Sequence, residues 1–444
     1  MSGKVLLVIQ SAANKANFVN AMPPLGILYI ASYLESKGIK ADVLDCTVGD
    51  AGVPDGRGYD LVGFSVNCGN ITNTLAMARR LKKESGVKIV VGGPQVTADP
   101  DFFMTKEYID GAVTGEGEHT LHEYLEKEAP VPGMYVRDKN GDVAAGGARP
   151  FIKDLDSLPF PALQKIDFTK YNVPIKKRKP TSTVMTSRGC PFQCIFCFHP
   201  LGYAFRPRSP QNVIEEVEWQ VKELGVREVC VQDDNVSLDM GRAKEIFRGL
   251  ADRKLDMTMQ LYNGIRADRV DEELLRLMKA ARLWLMNVSP ESGDPESVKR
   301  IKKGFNLEAS KAAIKLSKRM GFFTYSNFMV GFPWETREEI KRTIDFALEL
   351  DTDMVQFARV VAFPNTELYS MCNLTYKLEE DIGLFYSDPR FNISRLSDGE
   401  INGLIKECYR KVYLNPLRMA RILRHLSVSD IYALFKYSLS TGSI

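Results

Sequence analysis

The chain has 444 residues, 44% of them hydrophobic and 26% charged, with 59 Lys and Arg against 56 Asp and Glu and a formal net charge of +3. That length supplies core for two or three domains. The balanced charge argues against a nucleic-acid surface, no apolar stretch is long enough for an integral membrane segment, and the N-terminus turns polar too soon for a secretion signal. Cys46, Cys68, Cys230, Cys372 and Cys408 are scattered in mostly apolar contexts, as buried free thiols are, which fits a reducing cytoplasm.

From residue 4 onwards short β-rich runs alternate with helical patterns. "KVLLVI" (4–9), "ADVLD" (41–45), "DLVGFSV" (60–66), "KIVVGG" (88–93) and "GAVTG" (111–115) read as strands. "LGILYIASYLESKG" (25–38) and "ITNTLAMARRLKKESG" (71–86) carry apolar residues at helical spacing and end in glycine. This alternation predicts an α/β unit over residues 1–130, a doubly wound parallel sheet of flavodoxin or Rossmann type. Its ligand crevice falls at the carboxyl ends of the strands, near Gln10–Ser11, Ser65–Gly69, Gly92–Gln95 and Gly115–Gly117. Residues 131–180 change character, with two short strand candidates about the Asn140-Gly141 turn and then the proline-punctuated "LDSLPFPAL", and read as a surface linker.

Over 181–372 the rhythm resumes, with strand candidates at 183–187, 228–232, 257–262, 284–289, 324–330 and 354–360. Ser209-Pro210 offers an N-cap and first-turn proline, and Thr336-x-x-Glu339 a capping box. Six βα units in succession predict a partial (β/α)6 barrel of TIM type, with its chemistry at the C-terminal strand ends. Residues 373–444 read as helical and basic, ending near "LRMARILRHL" (417–426). A helix packed across the barrel fits that pattern better than a membrane-surface helix.

"SRGCPFQCIFCFHP" (187–200) directly follows the first barrel strand and spaces Cys190, Cys194 and Cys197 as C-x3-C-x2-C. Thiolates are soft ligands that select zinc or iron–sulfur clusters. A closed zinc site wants a fourth Cys or His, and His199, two residues beyond Cys197, is the only local candidate. A cubane on three cysteines instead leaves one iron open. The spacing and its place on the barrel resemble the radical S-adenosylmethionine (SAM) enzymes, over roughly residues 180–370. The resemblance implies a [4Fe-4S] cluster on the three cysteines and SAM chelated at the open iron. It further implies reductive cleavage of SAM to a 5′-deoxyadenosyl radical that abstracts hydrogen from an unactivated carbon, with a reductant such as flavodoxin or ferredoxin.

The resemblance also distributes SAM contacts along the chain. Phe196 stands where the family places an aromatic beside the adenine, or is a plain loop hydrophobe. Asp233 and Asp234 in "VQDDN" match acceptors for the SAM ammonium, and equally match helix caps. Asn263 and Arg266 in "NGIRAD" follow the third strand, Arg266 as partner for the SAM carboxylate. Ser289 and Glu291 in "SPESG" fall where a carboxylate meets the ribose, and Gly331 in "MVGFPWET" where backbone lies against the adenine. In "FPNTELY", Asn365 departs from the more frequent glycine. Tyr262, Tyr325, Asn327, Gln356 and Arg359 are candidate catalytic-pocket residues, with inward core packing the competing account.

A doubly wound domain ahead of such a barrel resembles the cobalamin-binding subfamily, through "PPLGILYIASYLESKG" (23–38), "VGGPQVTADPD" (91–101) and "TGEGEHTLHEYL" (114–125). Ser65, Asn67, Gly69, Gly92, Gly93, Gln95, Gly115 and Gly117 are then the cofactor-side candidates; the glycines also read as ordinary tight turns. No histidine lies in the first strand–helix loop, and Gln95 stands where relatives often have one, so the resemblance implies cobalamin without a histidine lower ligand. His119 and His122 read as a surface pair. The function implied is cobalamin-dependent methylation of an unactivated carbon in a small-molecule or natural-product substrate. The alternative is radical dehydration, epimerisation or cyclisation with an empty cobalamin-like domain.

Overall fold

The computed structural model describes residues 3–12, 22–49, 52–171, 173, 175–375 and 391–426, and the chain divides into two compact units. One is built from the chain up to residue 172 with His199–Gly202, the other from Val173–Phe198, Tyr203–Thr375 and the described C-terminal segment.

In the first unit the five expected strands form as β1 (Lys4–Ile9), β2 (Lys40–Asp45), β3 (Leu61–Ser65), β4 (Lys88–Gly92) and β5 (Gly111–Val113). They pair in parallel in the order β2-β1-β3-β4-β5, the doubly wound arrangement. The helix Ile71–Ser85 stops at Gly86, whose φ of +70° is a conformation glycine takes at little cost. Val5, Leu7, Leu61 and Val90 of the sheet bury against Ile27, Ala31, Leu34 and Leu121 of the helices. Residues 131–145, expected as linker, instead continue the sheet. β6 (Met134–Arg137) pairs antiparallel with β5, and β7 (Val143–Ala145) with β6. Met134 and Val136 point inward while β7 is exposed, so the hairpin covers an edge that β5 would otherwise leave open.

In the second unit all six expected strands form: β8 (Thr181–Val184), β11 (Glu228–Val231), β12 (Thr258–Ile265), β13 (Leu283–Val288), β14 (Phe323–Val330) and β15 (Met354–Arg359). They pair in parallel in sequence order, as a partial barrel requires. A two-strand ladder, β9 (Ser187–Arg188) with β10 (Arg206–Pro207), brackets the cysteine loop. Ser209 caps the helix Pro210–Lys222, and the Thr336–Glu339 capping box opens the helix Arg337–Leu350, as the sequence predicts.

The described part of the C-terminal region is helical, with Asp398–Tyr413 and Pro416–Leu423; residues 376–390 and 427–444 of the expected helical region lie outside the described residues. The Phe357 amide donates to the Tyr409 hydroxyl (3.0 Å), and the Tyr413 hydroxyl donates to the Val355 carbonyl (3.0 Å), so side chains satisfy the open edge of β15. Ile422 and Leu426 pack on Trp284 and Phe323, while Arg418 and Arg421 hold Asp351 and Asp353 just ahead of β15. The helix therefore closes the N-terminal mouth of the barrel, opposite the cysteine loop. Among the described residues no helix is long and apolar enough to cross a membrane.

Candidate functional site

The loop between β9 and β10 carries the three cysteines, all half-buried. It is fastened from two sides: the Ile195 amide donates to Ile301 O (3.2 Å), and Ile195 O accepts from the Leu368 amide (2.9 Å). Cys194 and Cys197 lie within hydrogen-bonding reach of each other. The Cys197 thiol donates to Cys194 and, with the Lys303 ammonium, draws Cys194 down to about 7, while Cys197 is pushed up. Burial pushes Cys190 up as well. No three His, Cys, Asp or Glu side chains among the described residues close on a single ion. A cubane makes a different demand, one thiolate for each of three irons, and three thiols on one anchored loop meet it.

The polar residues around this loop separate into braces and open groups. Asp233 is fully buried and accepts from the Thr186 amide, the Thr186 hydroxyl and the Ser187 hydroxyl. Its carboxylate thus ties the end of β8 to the end of β11, where the sequence offered a SAM acceptor or a helix cap. Asp234 is exposed, and its charge reaches Cys190.

Arg266 is likewise committed internally: its guanidinium pairs with Asp268 (3.0 Å), donates to Lys303 O (2.8 Å) and lies 3.5 Å from the centre of the Phe192 ring. It pins the cysteine loop from behind rather than offering a free fork to a carboxylate. Glu291, expected at the ribose, pairs with Lys303 at 2.8 Å. Arg359, a candidate for the catalytic pocket, is buried and paired with Asp398 of the C-terminal helix, which fits the competing account of inward packing.

A polar ladder crosses the C-terminal strand ends. Asn327 Nδ2 donates to Ser289 Oγ (3.1 Å), Ser289 Oγ to Asn287 Oδ1 (3.2 Å), and Asn287 Nδ2 to Tyr262 O (2.6 Å). Asn327 Oδ1 at the end of this ladder is buried without a partner. Asn235, beside the two aspartates and 2% exposed, has neither amide atom hydrogen-bonded. Such orphaned groups carry a desolvation cost that a ligand would relieve. Asn263, exposed where β12 bulges, donates to Gln232 O (3.1 Å).

Phe196 joins Phe332, Met329 and Trp334 in an apolar cluster beside the loop. Gly331, at φ +90°, and Phe332 donate their amides to the buried Glu335, whose carboxyl is pushed up to about 7 by desolvation. Asn365 takes φ +65°, so it supplies the left-handed turn where glycine is more frequent. Tyr325 is buried, its ring tilted against Tyr262 with centres 5.9 Å apart, and it donates to Gln356. Lys303, Glu335, Asn235 and Asn287 escaped sequence reasoning because none lies in a spacing pattern; a carboxylate inside the apolar run "GFPWE" was the one available signal.

In the first unit the crevice candidates also sort by packing. A Cβ at Gly93 would meet Val66 O at 2.8 Å and one at Gly117 would meet Ile30 at 2.7 Å, so these glycines serve the fold itself. At Gly69, Gly92 and Gly115 nothing described comes nearer than 3.4 Å to such an atom. Asn67 forms a side-chain turn, accepting from the Gly69 amide (2.9 Å), while Ser65 ends β3 and Gln95 is buried at the foot of the next helix. His119 and His122 both pack on Tyr33, with ring centres 4.9 and 5.9 Å away, and so act in helix contact.

This combination, a doubly wound domain followed by a partial barrel with a three-cysteine loop, defines a class. The radical SAM superfamily model matches residues 184–347 and the B12-binding domain model residues 12–125. An uncharacterized methyltransferase of Pyrococcus horikoshii is 31% identical over 93% of both chains. The cytidylyl-2-hydroxyethylphosphonate methyltransferase of Streptomyces wedmorensis is 29% identical over 89% of this chain and 87% of its own. Two solved structures share the fold at 20% identity: the radical SAM methyltransferase TsrM of Kitasatospora setae, TM-score 0.67 over 84% of this chain and 78% of its own, and the cobalamin-dependent radical enzyme OxsB, TM-score 0.71 over 99% and 71%. The chain belongs to the B12-binding radical SAM enzymes. Membership brings a [4Fe-4S] cluster, SAM and cobalamin as cofactors.

Proposed function

We propose that Cys190, Cys194 and Cys197 hold the cluster with one iron left to SAM, and that the enzyme methylates an unactivated carbon of a small-molecule substrate. When bound, the cluster supplies an electron for SAM cleavage and the corrin supplies the methyl group. The observation that carries this reading is the union of both domains in one chain with full-length likeness to methyltransferases. Phe196, with the Gly331 backbone, offers an apolar seat for the adenine. Ser289, through the ladder ending at Asn327 Oδ1, and Asn235, beside Asp234, present polar groups suited to ribose hydroxyls and an ammonium. Asn263 stands exposed nearby on the bulge of β12, and Tyr262, Tyr325 and Gln356 form the inward pocket wall. In the front unit Ser65, Asn67, Gly69, Gly92, Gln95 and Gly115 line the strand-end crevice for the corrin or its tail, without a histidine on cobalt.

Anaerobic purification with hydroxocobalamin, followed by absorption spectroscopy and assay with methyl-deuterated SAM, tests the reading. Retained corrin bands, 5′-deoxyadenosine and a deuterated product are expected. 5′-Deoxyadenosine formed by corrin-free protein would instead support radical dehydration, epimerisation or cyclisation; a magnesium-protoporphyrin monomethyl ester cyclase of Rubrivivax gelatinosus, 26% identical over 90% of this chain and 75% of its own, keeps that second reading in view. Cytoplasmic placement and a flavodoxin or ferredoxin donor accord with the free thiols and the need for an electron.

A further inference from the structure

Lys303 and Glu291 form an ion pair whose side chains are only 14% and 12% exposed. A buried pair adds little net stability over apolar groups of the same shape, so its place beside the cysteine loop asks for another reason. Both partners are held by backbone. Glu291 sits at φ +70°, clamped to β14 as its amide donates to Asn327 O (3.3 Å) and its carbonyl accepts from Met329 (2.7 Å). Lys303 O accepts from Arg266, whose guanidinium stacks on Phe192 between the first two cysteines, and Lys302 O lies 3.9 Å from Cys194 Sγ.

We propose that the Lys303–Glu291 pair, buried beside Cys194, tunes the iron–sulfur cluster, the ammonium making the cluster easier to reduce and the carboxylate opposing it. Reduction adds one electron from a low-potential donor and breaks no bond at the pair. A cation near the site that gains negative charge favours the reduced state, and low local dielectric enlarges the effect. The proposal rests on the cluster assignment of the three cysteines and not on methyl transfer.

The test is a dithionite titration of the anaerobically reconstituted full-length protein, followed by electron paramagnetic resonance, with iron and sulfide measured on each sample. Lys303→Met is expected to lower the equilibrium constant for reduction about tenfold, a shift of ~59 mV for one electron. Glu291→Gln moves the potential the opposite way, the double variant lies between them, and Lys303→Arg stays near wild type. A merely structural pair would not give shifts of opposite sign. Fully loaded single variants at unchanged potential, or both moved in one direction, overturn the proposal. If Lys303→Met takes up no iron, Glu291→Gln decides alone, and an unraised potential there overturns it. Wild-type protein that binds no iron would refute the cluster assignment itself, a separate failure.

Discussion

Three donors converge on the Asp233 carboxylate where β8 gives way to the cysteine loop, two from Thr186 and one from Ser187. Removing the acceptor strands them in the interior, so Asp233→Ala should cost about 3 kcal/mol in urea denaturation. If Asp233 contacted SAM instead, SAM affinity would fall with stability unchanged, and calorimetric SAM binding beside the unfolding curve separates the two. Glu335 gives a pH signature. Desolvation lifts its carboxyl from an ordinary 4.5 to about 7. The fold therefore favours the protonated form, and the stability this contributes is complete below pH ~4.5 and lost as pH rises through 7. Glu335→Gln should lack that decline, so the difference between variant and wild type in midpoint denaturant, followed from pH 4.5 to 8, isolates the group.

At the scale of elements, the helix Pro416–Leu423 is joined to the barrel by the apolar side chains of Ile422 and Met419 and by a charge cluster. Ile422 is 4% exposed against Trp284 and Phe323, so Ile422→Ala should destabilise the barrel unit by roughly 2–5 kcal/mol in chemical denaturation. Asp351 is held down to about 2 by Lys318, Arg421 and Arg418, so its contribution is present above the ordinary carboxylate range and fades as acid protonates it. The barrel strands could be read in sequence because each is a short run of β-branched, aromatic or apolar residues between helical patterns. The β6–β7 hairpin was readable as two strands but not as members of the sheet, since nothing local names the edge of β5 as its partner. Arg266 and Arg359 show the same limit in side chains. Their residue type suits a ligand, but Asp268, Phe192 and Asp398 claim them, and those partners are fixed only by the fold.

Across the whole molecule, each unit has its own buried core, and each presents candidate ligand residues at the C-terminal ends of parallel strands. Hydrogen-exchange protection on adding hydroxocobalamin should therefore gather in the segments after β3, β4 and β5, and protection on adding SAM to reconstituted enzyme in those after β11, β13 and β14. At a ligand concentration 100 times Kd, each binding event should stabilise its unit by about 2.7 kcal/mol. Protection spread evenly over both units would contradict the division of cofactors. The motif order carried most of this layout, because the cysteine spacing and the loops after successive strands arrive in the order the barrel uses them. Which polar groups stay open for a ligand was not legible, since that depends on which neighbours each one meets.

The second sheet also bears on how the protein is made. Its strands lie side by side in the order in which they are synthesised, so each βα unit can dock on its predecessor as it leaves the ribosome. Asp351 and Asp353 must wait for Arg418 and Arg421, 67 to 70 residues further on. Until residues 416–426 are released, the barrel has every strand but no floor, and Trp284 and Phe323 lack the Ile422 and Leu426 side chains that pack on them. A nascent chain stalled before residue 416 should be the species that chaperones capture.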